Sequence, residues 1–455
     1  MVQPGPGPRR RQQLVVAGTL MWIVGALLSW LSRAPLGHDE ARYALTTMDW
    51  LAGTPRWNYS PFGMTLLTAP ALLAHGGELA LRAAPLLWGL ALVLVAARTT
   101  RPLGDGAAAW MPALLAATAC FARRSAELLS DLPTAACLLP AIALVVTELS
   151  RDDGPRWRLV TAAPLMAAAF YLRYGASLTI AVIAAVAVLG GWRSTARRPW
   201  PVVATAALGL ALLAPHLAMS VAATGSALGI VRESGDAIPA QLGLVTYLTA
   251  NPLTFYGTVA TPLLLWGLAS IAWRRDRQSV MLWSIAVGHV VVIGLTTWGH
   301  SRYLFPALIL LLGLGLREAV AWVGSLSPRH ARRVTGAALL AVAAAWALVL
   351  SGLARQDESA RASLRGVLTA AAAIRQDAAG RPCTVLGRQA TQLEWYSGCR
   401  ATLDLPRELL AQRRVYAVVL PAPEQPPVES FPGRHQVVLA RPGLATVTRL
   451  DPERP

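Results

Sequence analysis

Apolar residues along this chain gather in long unbroken runs and seldom alternate. The runs fall at 13–32, 82–98, 106–122, 131–149, 158–172, 174–192, 200–222, 252–273, 278–298, 303–322 and 334–353, with a shorter one at 62–75. About 20 apolar residues in a helix cross the roughly 30 Å hydrocarbon core of a bilayer, and only a helix satisfies its own backbone there. The pattern predicts a polytopic α-helical membrane protein of about eleven spans. Pro61 and Pro70 interrupt the short run, which is predicted as an interfacial or re-entrant helix that does not cross. The first run follows "RRRQQ", has full span length and lacks the short core of a cleaved leader, so it is predicted as an uncleaved first span.

Beyond residue 353 the period changes. "PCTVLG" and "VYAVVLP" read as buried strands, "RQATQLEWYSG" as a short helix, and "HQVVLA" and "ATVTRL" as alternating strands. Two domains are expected: a membrane module over 1–353, which includes a first outer loop at 33–61, and a small extracytoplasmic α/β domain over 354–455.

Composition agrees with membrane residence, with 55% hydrophobic and only 14% charged residues, where soluble domains average about 25% charged. The net charge of +17 comes entirely from arginine, since the chain has no lysine. These arginines lie between the apolar runs and not on one face or tail, which argues against nucleic acid as a partner. The clusters at 9–11, 98–101, 151–158, 193–198, 274–277 and 329–333 fit cytoplasmic loops. That assignment puts the N-terminus inside, the C-terminus outside, and the longer polar loops on the outer face. Cys120 and Cys137 lie in apolar runs. Cys383 and Cys399 lie in the polar tail, and a bridge across their 15 intervening residues would contribute about 3 kcal/mol in the chain-entropy treatment.

The candidate chemistry sits at the outer mouths of the spans. In "GHDEARYALTTMDWLAG", Gly37 breaks the first helix, and Ala41, Leu45, Met48 and Leu51 recur at helical spacing. This stretch predicts an amphipathic interfacial helix headed by His38, Asp39, Glu40, Arg42 and Tyr43. Acids at a helix start also suit a plain capping role. "SDLP" places Asp131 at the mouth of another run, where an ionisable group is costly and functional by default. "HSRY" puts His300, Arg302 and Tyr303 at the start of a span, on the side that arginine avoids. A guanidinium there either snorkels to headgroups or meets an anion such as a lipid phosphate, whose geometry it matches in bidentate fashion. Arg173 and Tyr174 repeat that pair, and Arg123 and Arg124 precede Asp131. His216, His289 and Asp236 are lesser candidates. No Walker A, dinucleotide fingerprint, HExxH or paired CxxC occurs.

In order, side and spacing, "DEARY", "SDLP" and "HSRYLFPAL" resemble the class C (GT-C) membrane glycosyltransferases, in the group of protein O-mannosyltransferases and aminoarabinose transferases. The likeness covers most of 10–350. It implies transfer of a sugar from a polyprenyl-phosphate carrier to a lipid, glycan or protein acceptor at the outer face of the cytoplasmic membrane. On that likeness Asp39 is the catalytic base, Glu40 its neighbour and Asp131 the second-loop acid, with Arg302 and Tyr303 near the lipid phosphate. His38, Arg42, Tyr43, Arg123, Arg124, Arg173, Tyr174 and His300 join them as candidates for substrate or lipid-phosphate binding. Asp39 and Asp131 are the candidates for holding a divalent metal, should one be used. The family's Pro-Pro-Leu appears only as "YSPFGMTLL", and arginines must fill any lysine role. Two other readings stay open, a multi-pass secondary transporter and a lipid-binding scaffold. A transporter would favour midplane charges and inverted repeats, and neither is evident. The glycosyltransferase reading expects Asp39, Asp131 and a guanidinium to share one pocket.

Overall fold

The structure, a computed structural model, describes residues 8–32, 34–54, 60–151, 157–197, 199–235, 242–402, 414–420 and 434–451. Asp236 lies outside these residues. The chain divides into two compact units: Met1–Leu31 with Arg56–Leu353, and Ser32–Pro55 with Ala354–Pro455.

In the first unit, seven helices are long and apolar enough to cross a bilayer: Pro8–Leu31, Gly77–Leu103, Asp131–Ser150, Trp200–Thr224, Arg277–Thr296, Ser301–Ser325 and the start of Pro328–Ala378. Four of the expected spans take shorter or broken forms. The 106–122 run breaks at the extended backbone of Thr118 into Asp105–Ala116 and Ala119–Arg124. The others are Trp157–Leu172, Ala176–Arg197 and Ala260–Ala272.

Contacts at the helix ends show how these segments run. Arg11 pairs with Asp105, Gly18 abuts Ala113, and Trp22 donates to Ser125 Oγ at 2.9 Å, so the first helix lies parallel to the 105–124 segment. Phe121 stacks on Phe305 at 4.3 Å, which puts the far ends of these segments beside the start of the Phe305–Ser325 helix. At the opposite end Arg274 reaches Glu318 at 2.8 Å, and Arg277 donates to the Gly190 carbonyl at 3.1 Å. The other four segments pack among these seven helices within the first unit. The Phe62–Leu73 helix is only twelve residues long, and its start lies against the Tyr171–Leu172 backbone. The carbonyl of Leu79, in the first turns of the Gly77–Leu103 helix that follows, accepts from Trp30 Nε1 at 3.0 Å.

The long helices are not equivalent. Asp131–Ser150 and Ser301–Ser325 are each 78% buried, against 6% for Trp200–Thr224, so the first two form the centre of the bundle. Close packing there needs glycine. A Cβ on Gly267 would stand 2.1 Å from the Leu311 carbonyl oxygen, and one on Gly315 2.0 Å from that of Leu263. In hydrocarbon, where helices associate by packing alone, such small residues let backbones touch.

The second unit is a five-stranded sheet with strands β1 (Cys383–Leu386), β2 (Arg400–Thr402), β3 (Arg414–Val419), β4 (Arg434–Arg441) and β5 (Ala445–Asp451) in the order β2-β1-β3-β5-β4. β1 runs parallel to β2 and β3, whereas β5 is antiparallel to β3 and β4. The apolar run stops at Leu353, but its helix continues to Ala378. Beyond the run, Leu364, Val367, Ala370, Ile374 and Ala378 form one stripe that buries with Val385, Leu393, Tyr416 and Val447. Cys383 and Cys399 are joined by a disulfide, which closes the segment carrying the Ala390–Ser397 helix.

The near-C-terminal turn of the long helix is held to the sheet by charge. Asp377 accepts from Tyr416 Oη at 2.7 Å and from Arg449 at 3.2 Å, and pairs with Arg414 at 3.4 Å. Burial raises the Asp377 pKa, but the Tyr416 hydroxyl and the two guanidiniums outweigh it and hold the carboxyl below its ordinary value. Burial, followed by the Asp377 contact, pushes the Tyr416 hydroxyl up to about 12.

The first loop corrects the sequence-based division. Its helix, His38–Leu51, belongs with the tail unit and not with the membrane module, because it packs on the Ala390–Ser397 helix. Its buried face carries Glu40, Ala41, Tyr43, Ala44 and Thr47, while Met48 and Leu51 of the expected apolar stripe stay exposed.

Candidate active site

The membrane unit gathers its chemistry at the end where the two central helices begin. Asp131 opens the Asp131–Ser150 helix. Arg173 follows the last turn of Ala162–Leu172 in extended conformation, which turns its side chain back toward Asp131. Arg302 and Tyr303 lie in a single 3-10 turn, Ser301–Leu304, immediately before the Phe305–Ser325 helix.

Asp131 is buried and pairs with Arg173 through one oxygen, while its other oxygen lies 3.7 Å from Arg302 Nε. Both guanidiniums rest over the Tyr303 ring, Arg173 at 4.0 Å and Arg302 at 5.2 Å from its centroid. Such cation–π contacts are strengthened by desolvation. Behind the ring, His289 Nε2 is hydrogen-bonded to the Tyr303 carbonyl oxygen and Nδ1 to Thr179 Oγ1, each at 2.8 Å. The His300 ring meets Tyr303 edge-on at 5.3 Å.

Asp131, Arg173, Arg302, Tyr303, His289 and Thr179 line a small, partly open cavity together with Thr134, Leu138 and Ile293. Two guanidiniums surround one carboxylate in a wall that is otherwise largely apolar. That arrangement suits an anion carried on an apolar tail. Among the described residues, no three His, Cys, Asp or Glu gather as a metal site.

Other candidates lie elsewhere. Arg123 and Arg124 do not line this cavity and pair with Glu127, Arg123 at 3.0 Å. Tyr174 is buried beside Phe170 and His216, with both centroid distances in the 5.1–5.4 Å range. Sequence reasoning missed Thr134 and Thr179 and underrated His289. The available signal was a histidine inside an apolar run, which needs polar partners at that depth.

The acidic helix lies in the other unit. Glu40 Oε2 accepts from the Gly37 N–H at 2.8 Å, so this carboxylate serves the start of its own helix. Asp39 is about a quarter exposed and pairs with Arg42 at 3.1 Å, and the Arg42 guanidinium stands 5.5 Å from the centroid of the buried Tyr43 ring. Of the two neighbouring acids, Asp39 is the more accessible.

Comparison with known proteins bears on this geometry. The family model of dolichyl-phosphate-mannose-protein mannosyltransferases matches residues 58–219. The structure is similar to that of ArnT from Cupriavidus metallidurans bound to undecaprenyl phosphate, with TM-score 0.71 and 17% identity over 96% of this chain and 97% of that one. It is also similar to the apo oligosaccharyltransferase of Archaeoglobus fulgidus, with TM-score 0.57 and 12% identity over 90% of this chain and 69% of that one. A third similar structure is the archaeal oligosaccharyltransferase AglB from Archaeoglobus fulgidus in complex with an inhibitory peptide and a dolichol-phosphate (TM-score 0.53, 12% identity, 84% of this chain and 64% of that one). No curated protein matches by sequence. The resemblance drawn from the short motifs therefore holds, and the chain is a multi-pass membrane protein with the GT-C fold.

Proposed function

We propose that this protein is a glycosyltransferase that moves a sugar from a polyprenyl-phosphate donor to an acceptor at the outer face of the cytoplasmic membrane. One observation carries the reading: Asp131, Arg173, Arg302 and Tyr303 form a cation-rich cavity at one end of an apolar bundle. The arginine clusters at the opposite end support an outward-facing site through the positive-inside rule.

An acceptor hydroxyl or amine attacks the anomeric carbon, the bond from that carbon to the phosphate oxygen breaks, and the phosphate leaves with the electron pair. Arg302 and Arg173 stabilise the charge gathering on the leaving group, as pre-placed donors do in other transfer reactions. Asp131 keeps the two guanidiniums in place. Asp39 takes the acceptor proton as the new bond forms, since Glu40 is committed to its helix start. A single displacement inverts the anomeric centre.

The test uses the full chain in lipid nanodiscs with a panel of radiolabelled polyprenyl-phosphate sugars and a membrane extract as acceptor source. Label should leave the lipid and appear in product, and Asp39→Asn should abolish transfer while polyprenyl phosphate still binds. The proposal falls if no donor turns over and the glycan and lipid profiles of cells lacking the protein match those of normal cells. Flux of substrate without glycosylated product would replace it with a transporter.

A further inference from the structure

Within the tail unit the His38–Leu51 helix is held at its entrance by the segment that the disulfide closes and near its exit by the residue just beyond it. At its entrance the Leu36 N–H donates to Tyr396 Oη at 2.7 Å, and His38 Nδ1 is hydrogen-bonded to Thr391 Oγ1 at 2.8 Å. Near its exit Asp49 pairs with Arg400 at 3.5 Å. Tyr396 and Thr391 lie on the Ala390–Ser397 helix, while Arg400 opens β2 just past Cys399. The amide hydrogens that precede a helix have no partner within it. Here Leu36 and Gly37 find theirs in Tyr396 and Glu40, which fixes the chain direction directly ahead of Asp39.

We propose that Tyr396 and Thr391 are positioning residues for the transfer reaction, holding the Asp39 helix in the register that proton removal needs. The tail domain is then part of the working enzyme. This rests on the assignment of Asp39 as base. A general base must come within about 3 Å of its proton, and a displacement of about 1 Å can cost on the order of 100-fold in rate.

The experiment compares Tyr396→Phe, Thr391→Val and Thr391→Ser in the nanodisc assay, with hydrogen exchange read over 36–51 in the same samples. Phe and Val should each lower kcat by about 10-fold with KM for the labelled donor unchanged, and should speed exchange in that helix alone. Ser, which keeps the hydroxyl, should restore both readouts. Normal kcat in Phe and Val beside an inactive Asp39→Asn would overturn the positioning role and leave the base assignment standing. Transfer by Asp39→Asn would overturn the base assignment instead, while the exchange rates still decide whether Tyr396 and Thr391 hold the helix.

Discussion

One helix, Phe305–Ser325, has a buried acid–arginine cluster near each end, and the two differ in how their charges are matched. Near its C-terminal end Glu318 is saturated: Oε1 accepts from Arg274 Nε at 2.8 Å and Oε2 from Trp273 Nε1 at 2.9 Å. Near its start Asp131 is shared by two arginines that also lean on one tyrosine ring beside a cavity. The first is a closed pair suited to holding helices together. The second sets two guanidiniums around one carboxylate beside a cavity, an arrangement that can receive an anion. Both clusters join an acid to arginine, so the number of guanidiniums and the space beside them distinguish the two.

The contrast can be broken by removing one group at a time. Glu318→Ala should lower stability by about 1–3 kcal/mol, the loss of charge-assisted bonds to a partly exposed Arg274 and to Trp273. Thermal unfolding of detergent-solubilised protein reads that loss, and transfer per folded molecule should be unaffected. Arg302→Ala should do the opposite, keeping the melting temperature and lowering kcat by about 10²–10³-fold in the labelled-donor assay. A variant that lost stability and activity together would erase the distinction.

The tail unit sharpens the comparison with bonds of other kinds. Replacing both Cys383 and Cys399 by Ser should cost about 3 kcal/mol, seen as earlier loss of exchange protection in the sheet. Asp377→Asn should have the smallest effect, about 1–2 kcal/mol for a charge-assisted bond discounted for partial exposure. Because the folded carboxyl titrates below its ordinary value of 3.8, its contribution is whole above that pH. It is lost as the pH falls through the lowered folded value. Exchange in the Pro328–Ala378 helix should therefore quicken in acid in the wild type, and Asp377→Asn should remove that acid step.

The long apolar helices of the bundle were legible because each is written in consecutive residues. Asp131, Arg173 and Arg302 were legible one by one as charges at span mouths. Their convergence was not, since it depends on packing between segments far apart in sequence. The helix beyond Leu353 was hidden because its apolar stripe is set among arginine, glutamine and acidic residues. Strand β2, three residues long, carries too little pattern to be read. The membership of the first loop was hidden for another reason: its partners Thr391, Tyr396 and Arg400 lie more than 300 residues away.

Arg173 and Arg302 stand on common ground, one carboxylate and one aromatic ring, and so are not independent in energy. When either is removed, the survivor gains the whole of Asp131 and shifts on Tyr303, so the losses from the two single changes will not sum to the loss from both. What evolution can alter at this place is accordingly the four residues as a whole, and a replacement at one position calls for a compensating replacement at another.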